Sequence, residues 1–181
     1  MKSYRQKIGD IGEEVASDKF RREGWKVENF NTRANFPNCD LEIKKGKIKW
    51  RIQVKLCRIY RWISAGGVNP IVCDGGSIFN RKSGYPQADF VCCLSPAREE
   101  KEFDVHDCDN WRFFILPVTV AEEAFRINID AYFNGLKRDG TPRAKRGACQ
   151  DYVGPGVLTH GVPDHREDFL PYEDKFSILD E

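Results

Sequence analysis

The feature that most constrains this chain is the alternation of apolar and polar residues over 48–56. Side chains of a β-strand project alternately to its two faces, so this pattern predicts a half-buried strand. Residues 40–45 predict a second strand, and Lys45-Gly46 is typical of a hairpin turn between the two. The apolar face carries Ile48, Trp50, Ile52, Val54 and Leu56, and the other face carries Lys49, Arg51, Gln53 and Lys55. We therefore expect a hairpin with one buried face and one polar, basic face.

The polar side of this hairpin has the chemistry of a site for a divalent cation and a phosphate. Asp40 offers carboxylate oxygens, which are ligands that Mg²⁺ prefers. Gln53 can hold the metal or its bound water, and the Lys55 ammonium can offset negative charge that develops on a phosphate. For Asp40 and Glu42 alone, the ordinary interpretation is a pair of polar positions on a half-exposed strand.

Asp40, followed after twelve residues by Gln53-Val54-Lys55, resembles the PD-(D/E)XK nuclease motif in its QXK form. Cys39 stands in the place of the motif's proline. Gln53 replaces an acidic residue, so the expected site holds one carboxylate fewer. The resemblance is greatest to homing-endonuclease-like and Holliday-junction-resolvase-like members. It implies an α/β fold with a restriction-endonuclease-like core, in which a mixed central sheet of four or five strands is flanked by helices.

The same resemblance implies a Mg²⁺-dependent DNA endonuclease in which Mn²⁺ can substitute for Mg²⁺. The implied catalytic residues are Glu13, Asp40, Gln53 and Lys55. The implied metal ligands are Asp40, Gln53, Val54 through its carbonyl, and Glu13. Glu42 has the same parity as Asp40 and is expected to support these ligands without binding the metal. Each such core cuts one strand, so duplex cleavage implies a homodimer or a larger homo-oligomer.

Residues 8–24 precede the hairpin and have apolar positions at helical spacing. They end at Gly24, a residue type that commonly terminates helices, and a strand is expected to start at 25–27. The Gly12-Glu13 pair resembles the first helix of the same superfamily, in which the glutamate lies beside the metal. The resemblance gives Glu13 that role, with Glu14, about 100° away around the helix, as the neighbouring candidate.

Two buried strands are predicted after the hairpin, at 87–94 and 111–118, and a helix is predicted to begin at Val120. This order is similar to the later half of homing-endonuclease-like members, and residues 166–179 resemble their terminal helix. Together these features predict a nuclease core over 1–135 and an extension over 136–181. The extension carries a basic loop and the terminal helix, and is expected to pack on the same domain.

Composition fits a single globular domain. The chain has 181 residues, of which 40% are hydrophobic and 31% are charged. Its apolar runs are far shorter than the ~18 residues that a membrane-spanning helix needs, and its first residues lack the apolar segment of a signal peptide. We therefore expect an intracellular protein. The seven cysteines are odd in number and irregularly spaced, which favours reduced thiols with structural roles.

Basic residues are segregated along a chain whose net charge is only +1. Eight Lys or Arg residues and no Asp or Glu fall between Lys44 and Cys73. Five basic residues against one acid fall between Lys137 and Arg146. Such segregation allows a positive surface for DNA, although a single charge run is more often an ordinary solvated face. The predicted DNA-binding residues are Lys49, Arg51, Arg58, Arg61, Arg81, Lys82, Arg143, Lys145 and Arg146.

Other interpretations of the sequence stay open. Cys92, Cys93, His106 and Cys108 offer ligands for zinc, although adjacent cysteines rarely face one ion. A cysteine nucleophile acting with one of the histidines lacks any local signature. Gln53 also suits a protein that kept the fold, binds nucleic acid and no longer cleaves it. A structural or interaction domain with chance motif matches is a further alternative.

Overall fold

Helix α1 is the first element of the computed structural model, and it spans Tyr4–Arg22. Gly24 terminates the helix, as predicted, with a φ of +86°. The Gly24 N–H donates to the Arg21 carbonyl and the Trp25 N–H donates to the Phe20 carbonyl, each at 3.0 Å. These two bonds form a Schellman motif, and Trp25 and Phe20 are both buried in the core, which is the apolar contact that usually accompanies it. The structure describes residues 4–30, 39–58, 60, 62–63, 71–73, 76–78, 87–99, 103–121, 123, 141, 162–163 and 169–181.

The centre of the fold is a mixed five-stranded sheet. The strands in the described ranges are β1 Lys26–Asn29, β2 Leu41–Lys45, β3 Ile48–Leu56, β4 Trp62–Ile63, β5 Ile71–Cys73, β6 Gly76–Ile78, β7 Phe90–Pro96, β8 Trp111–Pro117 and β9 Val162–Pro163. The main sheet has the order β1-β2-β3-β7-β8, in which β3 and β7 are parallel and the other neighbours are antiparallel. Two small sheets pair β4 with β9 and β5 with β6. The predicted α/β class with a mixed central sheet is confirmed.

The predicted hairpin is present as β2 and β3, but its turn is Gly46-Lys47, one residue later than the predicted Lys45-Gly46, because Lys45 still pairs with Ile48. Gly46 has a φ of +62° at the first central position of this two-residue loop, as the favoured hairpin turns require. The turn pairs Lys45 with Ile48, and the same register places Glu42 opposite Arg51 and Leu41 opposite Ile52. The hairpin therefore has the two faces that the sequence predicts.

Each face of the main sheet carries its own apolar core. Val15, Ala16 and Phe20 of α1 pack against the face that holds Ile52 and Val54. On the other face, buried side chains on and around β7 and β8 pack into a second core: Ala88, Val91, Cys93, Phe114, Leu116, Val118, Ala121 and Phe169. The two strands predicted at 87–94 and 111–118 are these strands. Residues 118–121 and 123 are helical, so the helix expected from Val120 begins two residues earlier.

The end of the chain differs from the continuous helix expected over 166–179. Its described part, 169–181, forms two short 3₁₀ helices, Leu170–Tyr172 and Phe176–Asp180. Asp174 lies between them with a φ of +47°, a conformation that interrupts a helix of L-residues. Its N–H donates instead to the Phe113 carbonyl at 2.8 Å. This segment packs on the main sheet through Phe176 and Leu179, whereas the predicted division of the chain at 135 stays a prediction.

The described thiols are structural groups of the interior. Cys39, Cys57, Cys92, Cys93 and Cys108 are free and buried, as expected for these five.

No helix within the described ranges has both the length and the apolar character that crossing a membrane requires.

Candidate functional site

β3 extends beyond its last pairing with β2, so residues 53–56 continue past the end of β2. We call this opening in the sheet, between Asp40 and residues 53–56 of β3, the fork. Leu41, the first residue of β2, pairs with Ile52, while β3 continues to Leu56. The Asp40 N–H also donates to the Ile52 carbonyl at 3.0 Å. Two consecutive residues therefore face one residue of the partner strand, which is the arrangement of a β-bulge. A bulge redirects the side chain of its extra residue, and here that residue is Asp40.

The Asp40 carboxylate takes the place of a strand partner for β3 inside the fork. Its Oδ2 accepts the Val54 N–H at 2.7 Å and also accepts a hydrogen bond from Gln53 Nε2. The same Gln53 nitrogen donates to the Val54 carbonyl at 3.4 Å. Gln53 is only 5% exposed, so its NH₂ group is held between two oxygen acceptors. Three of the four predicted metal ligands are thus brought together by hydrogen bonds.

The oxygen atoms around the fork can bind a hard divalent cation if the side-chain amide of Gln53 rotates by half a turn. The Gln53 NH₂ group stands between the Asp40 carboxylate and the Val54 carbonyl. A half-turn about the terminal torsion of Gln53, which has a broad two-fold profile, would replace this NH₂ group with the amide oxygen. Carboxylate, amide and carbonyl oxygens suit Mg²⁺, which takes only one or two carboxylates and keeps several waters. The residues present therefore fit the predicted ion.

Glu13 reaches the same region from the helix. It is 8% exposed, and its carboxylate accepts a hydrogen bond from Asn29 Nδ2 at 3.0 Å. The next residue, Phe30, donates its N–H to the Asp40 carbonyl at 2.9 Å. Two consecutive residues at the end of β1 therefore tie Glu13 and Asp40 to one part of the molecule. Asn29 is not among the predicted site residues, because nothing in its local sequence indicates a contact with the helix.

Gly12 decides how closely α1 approaches the fork. A Cβ at this position would lie 3.0 Å from Leu56 Cβ and 3.6 Å from Val54 Cγ1, so the helix backbone lies directly on β3. The neighbouring Glu13 is held beside that strand as a result. Glu14, the alternative candidate, is exposed and pairs with His106 Nδ1 at 3.2 Å. Glu13 is therefore the better placed of the two.

Lys55 projects from the sheet face opposite to α1. It pairs with Cys93 in the β3–β7 register, and Cys93 belongs to the core on that face. Burial raises the pKa of the Cys93 thiol to about 12, and the charge of Lys55 offsets part of the rise. Gln53 shares this face because side chains alternate along β3. Glu13 and Lys55 thus approach the fork from opposite sides of the sheet, and the edge of β3 that β2 leaves uncovered lies between them.

Glu42 is engaged by two lysines of the hairpin. Lys44 Nζ lies 2.6 Å from Glu42 Oε1, and Lys49 Nζ lies 2.7 Å from Glu42 Oε2. Burial alone would raise the pKa of this carboxyl, but the hydrogen bonds and charges of the two lysines outweigh burial and lower the pKa. Glu42 is therefore an ionised anchor for both ammonium groups. Its expected support of the metal ligands stays a prediction.

Three of the predicted DNA-binding residues fall within the described ranges. Lys49 is paired with Glu42, and Arg51 is exposed while Asp89 Oδ2 accepts its backbone N–H at 2.8 Å. Arg58 is exposed and donates a hydrogen bond to the Tyr4 hydroxyl. The other predicted DNA-binding residues lie outside the described ranges: Arg61, Arg81, Lys82, Arg143, Lys145 and Arg146.

The four residues of the alternative zinc site do not share one ion. Cys92 and Cys93 are adjacent in β7, so their side chains enter the cores on opposite faces of the sheet. His106 is paired with Glu14. The zinc interpretation of this set is therefore wrong.

A group that sequence reasoning missed lies just before β8. Ligand atoms of Asp107, Cys108 and Asp109 lie within 4.8 Å of one another. Asp107 accepts the Asp109 N–H at 3.0 Å and so caps the 3₁₀ helix Cys108–Asn110. The Asp109 carboxylate pairs with Arg22 at 3.1 Å. These contacts give the two carboxylates structural roles that need no ion.

Gln53→Glu is expected to make the metal-free protein less stable and more responsive to Mg²⁺. The new carboxylate would lose the hydrogen bonds that Nε2 makes and would face Asp40 as a like charge. We expect a loss of about 1–3 kcal/mol in the free energy of unfolding in EDTA. A bound cation would restore most of it, because a ligand that binds only the folded state stabilises that state. Thermal unfolding with and without Mg²⁺ measures both effects.

The matched control for this prediction is Gln6→Glu, which makes the same chemical change at an exposed position of α1. Its thermal unfolding midpoint should differ little from that of the wild type, both in EDTA and in Mg²⁺. If Mg²⁺ stabilised the wild type, Gln6→Glu and Gln53→Glu to the same extent, a cation site at the fork would be contradicted.

Comparison with known proteins gives one structural similarity. No protein-family model matches the sequence, and no curated protein matches it. Among solved structures, the chain is similar to a bacterial homing endonuclease, I-Ssp6803I, with a TM-score of 0.44 and 17% sequence identity over 67% of this chain and 74% of that one.

Proposed function

We propose that this protein is a Mg²⁺-dependent DNA endonuclease that hydrolyses phosphodiester bonds at the fork between β2 and β3. The observation that supports this best is the convergence of Asp40 Oδ2 and the Val54 carbonyl on one side-chain amide, that of Gln53. Oxygen donors gathered around one point suit Mg²⁺, and Mn²⁺ can take its place. The resemblance of Asp40 and Gln53-Val54-Lys55 to the PD-(D/E)XK motif supports the same reaction.

Each residue of the fork has a proposed role. Asp40, Gln53, the Val54 carbonyl and Glu13 would hold the ion. A bound Mg²⁺ would supply Lewis-acid chemistry, namely a more acidic water and relief of negative charge on the leaving oxygen. Lys55 donates to a non-bridging phosphate oxygen as negative charge develops there. One P–O bond breaks as water adds to phosphorus, which leaves a hydroxyl on one fragment and a terminal phosphate on the other.

Cleavage of both strands of a duplex calls for two such cores, so a homodimer or larger homo-oligomer is part of the proposal.

Gln53 supports an alternative of a different class. A glutamine leaves the fork without the second carboxylate of the motif, which suits a protein that binds nucleic acid on this fold and does not cleave it. The two functions differ in a single measurable property, which is the breakage of a phosphodiester bond.

The proposed function predicts nicking of a supercoiled plasmid that requires Mg²⁺ and stops in excess EDTA. Lys55→Met removes the ammonium while keeping a long apolar stem, and we expect it to slow nicking by roughly 10²-fold. Lys175→Met, the same change at an exposed residue of the C-terminal segment, should leave the rate unchanged. Initial rates at saturating plasmid give the comparison.

The outcomes of this experiment separate the candidate functions. Plasmid that stays supercoiled with Mg²⁺ and with Mn²⁺, although the protein binds it in a salt-dependent manner, would favour the non-cleaving alternative. Equal nicking rates for wild type, Lys55→Met and Lys175→Met would remove Lys55 from the mechanism. A protein that does not bind DNA at low salt would overturn both functions.

A further inference from the structure

The polar face of β1, β2 and β3 carries an unusual row of like charges. The register pairs Lys26 with Lys44 across β1 and β2, and pairs Lys44 with Lys49 across β2 and β3. Directly opposite residues on neighbouring strands point to the same face, so three lysines stand side by side across three strands. Like charges in such positions are destabilising. All three lysines are nevertheless exposed, and together they form what we term the lysine row.

A buried carboxylate lies under two members of the lysine row. The Glu42 side chain is 7% exposed, while those of Lys44 and Lys49 are 47% and 50% exposed. Each ammonium contacts a different oxygen of that carboxylate, at 2.6 and 2.7 Å. Glu42 therefore fixes two ammonium groups above the sheet, and each keeps donors that can point to solvent. Glu28, which is opposite Glu42 in the β1–β2 register, adds a second carboxylate to this face, and its charge also acts on Lys44. Two carboxylates do not neutralise Lys26, Lys44, Lys49 and Arg51, so the face retains a positive charge.

The lysine row is continuous with the fork along β3. Lys49, Arg51, Gln53 and Lys55 alternate with apolar residues and share one face of this strand. Successive members of this set are roughly 7 Å apart, since a strand advances about 3.3–3.4 Å per residue. Arg51 is exposed next to Lys49, and its backbone is fixed by Asp89 through the N–H and the carbonyl, at 2.8 Å each. A line of cations thus leads from the hairpin to the candidate metal ligands.

We propose that the lysine row and Arg51 bind the phosphate backbone of a nucleic-acid strand and lead that strand to the fork. That the partner is DNA rests on the proposed function. That the partner is a polyanion is indicated by the positive charge of the face and by the strand register that places the lysines side by side. Lysines serve as point charges toward phosphates and carry no base specificity. Binding through the row is therefore independent of base sequence and falls steeply with salt.

The test is DNA binding, measured by fluorescence anisotropy with a labelled duplex of random sequence over a range of salt concentrations. Ca²⁺ replaces Mg²⁺ in these measurements so that cleavage does not interfere. The variant is Lys26→Gln with Lys44→Gln, because it removes two charges of the row and leaves Glu42 paired with Lys49. We expect the slope of log K against log salt to fall by about 2 in magnitude and the affinity to fall about tenfold at moderate salt. The matched control is Lys7→Gln with Lys175→Gln, two exposed lysines outside the row.

Glu42→Gln gives an independent readout in the opposite direction. It releases Lys44 and Lys49 from their shared carboxylate, so a phosphate-binding row should bind DNA several-fold more tightly. A purely structural role for Glu42 would weaken binding or leave it unchanged. Glu23→Gln, which removes a half-buried carboxylate paired with Lys19 at 3.0 Å just after α1, is the control and should have no effect.

The results distinguish this inference from the proposed function. Equal salt slopes for the row variant and its control would overturn the inference, even where the wild-type protein nicks plasmid normally. A slope that falls by about 2 in a protein that never nicks DNA would support the inference and contradict the endonuclease proposal. A wild-type protein that binds no DNA at low salt would overturn the inference.

Discussion

Asp40→Asn is expected to slow Mg²⁺-dependent nicking by roughly 10³-fold or more while the protein stays folded. Asparagine keeps an oxygen that can accept the Val54 N–H, which Asp40 Oδ2 accepts at 2.7 Å. The contact that replaces a strand partner in the fork therefore survives. What the variant lacks is the negative charge that draws a divalent cation to the Gln53 amide and the Val54 carbonyl. Initial nicking rates, measured as Mg²⁺ is titrated at saturating plasmid, give the effect.

Asp40→Ala separates the chemical role of this residue from its structural role. Alanine leaves the Val54 N–H and the Gln53 amide without the acceptor that Asp40 supplies. We expect a cost of about 1–3 kcal/mol in the free energy of unfolding, which Asp40→Asn should largely avoid. Asp18→Asn, at an exposed aspartate that pairs with Arg21 at 2.8 Å, controls for the loss of one negative charge. A folded Asp40→Asn protein that nicks plasmid at the rate of Asp18→Asn would exclude Asp40 from the reaction.

The hairpin and the association of Asp40 with Gln53 could be predicted because both depend on local rules. Period-two alternation assigns the two faces of β3, whereas the register is set by the loop at Gly46-Lys47, one residue later than predicted. That register runs down the hairpin to Leu41 and Ile52, which leaves Asp40 next to Gln53. The end of α1 follows a local rule as well, because Gly24 adopts a positive φ readily. Residues close in sequence therefore determine these features.

The placement of Glu13 could not be derived in the same way. It depends on the packing of α1 against β3 at Gly12 and on the hydrogen bond from Asn29, and both join residues distant in sequence. The bulge at Asp40 could not be predicted either, because its evidence is a hydrogen bond from the Asp40 N–H to the Ile52 carbonyl, which the sequence pattern does not show. The resemblance of Gly12-Glu13 to the first helix of the superfamily made Glu13 a candidate, but it could not show from which side of the sheet Glu13 approaches.

The contacts of Glu42 depend on the register of the hairpin. Glu42 is opposite Arg51 in the hairpin register, so these two residues share one face. The hairpin register also pairs Lys44 with Lys49, so two lysines lie diagonal to or beside Glu42 on one face, within reach of its carboxylate. The ion pairs of Glu42 therefore follow from the observed turn at Gly46-Lys47. The end of the chain could not be predicted, because its 3₁₀ helices are held by tertiary contacts such as that between the Asp174 N–H and the Phe113 carbonyl.

Phe176→Ala is expected to lower the free energy of unfolding by about 3–5 kcal/mol. The Phe176 ring is buried, with its centroid 5.6 Å from that of Phe20 in an edge-to-face contact and 6.1 Å from that of Phe113. Lys19 Nζ lies 5.1 Å from the ring centroid on the side of α1. Alanine would leave a cavity between the helix and the sheet, and it would remove these aromatic contacts. Urea unfolding followed by circular dichroism measures the loss.

The magnitude of this effect tests whether the C-terminal segment is part of the same cooperative unit as the fork. Leu170→Ala changes an exposed residue of that segment and should alter stability by no more than about 0.5 kcal/mol. The segment is also tied to the sheet by Arg112, whose Nε and Nη2 donate to the two Glu173 carboxylate oxygens at 2.6 and 2.8 Å. If Phe176→Ala cost no more than Leu170→Ala, the segment would fold independently of the core. If Phe176→Ala lowers the free energy of unfolding by the expected ~3–5 kcal/mol, nicking measured well below the unfolding midpoint should still be normal. Phe176 supports the helix that carries Glu13 and does not contact the phosphate.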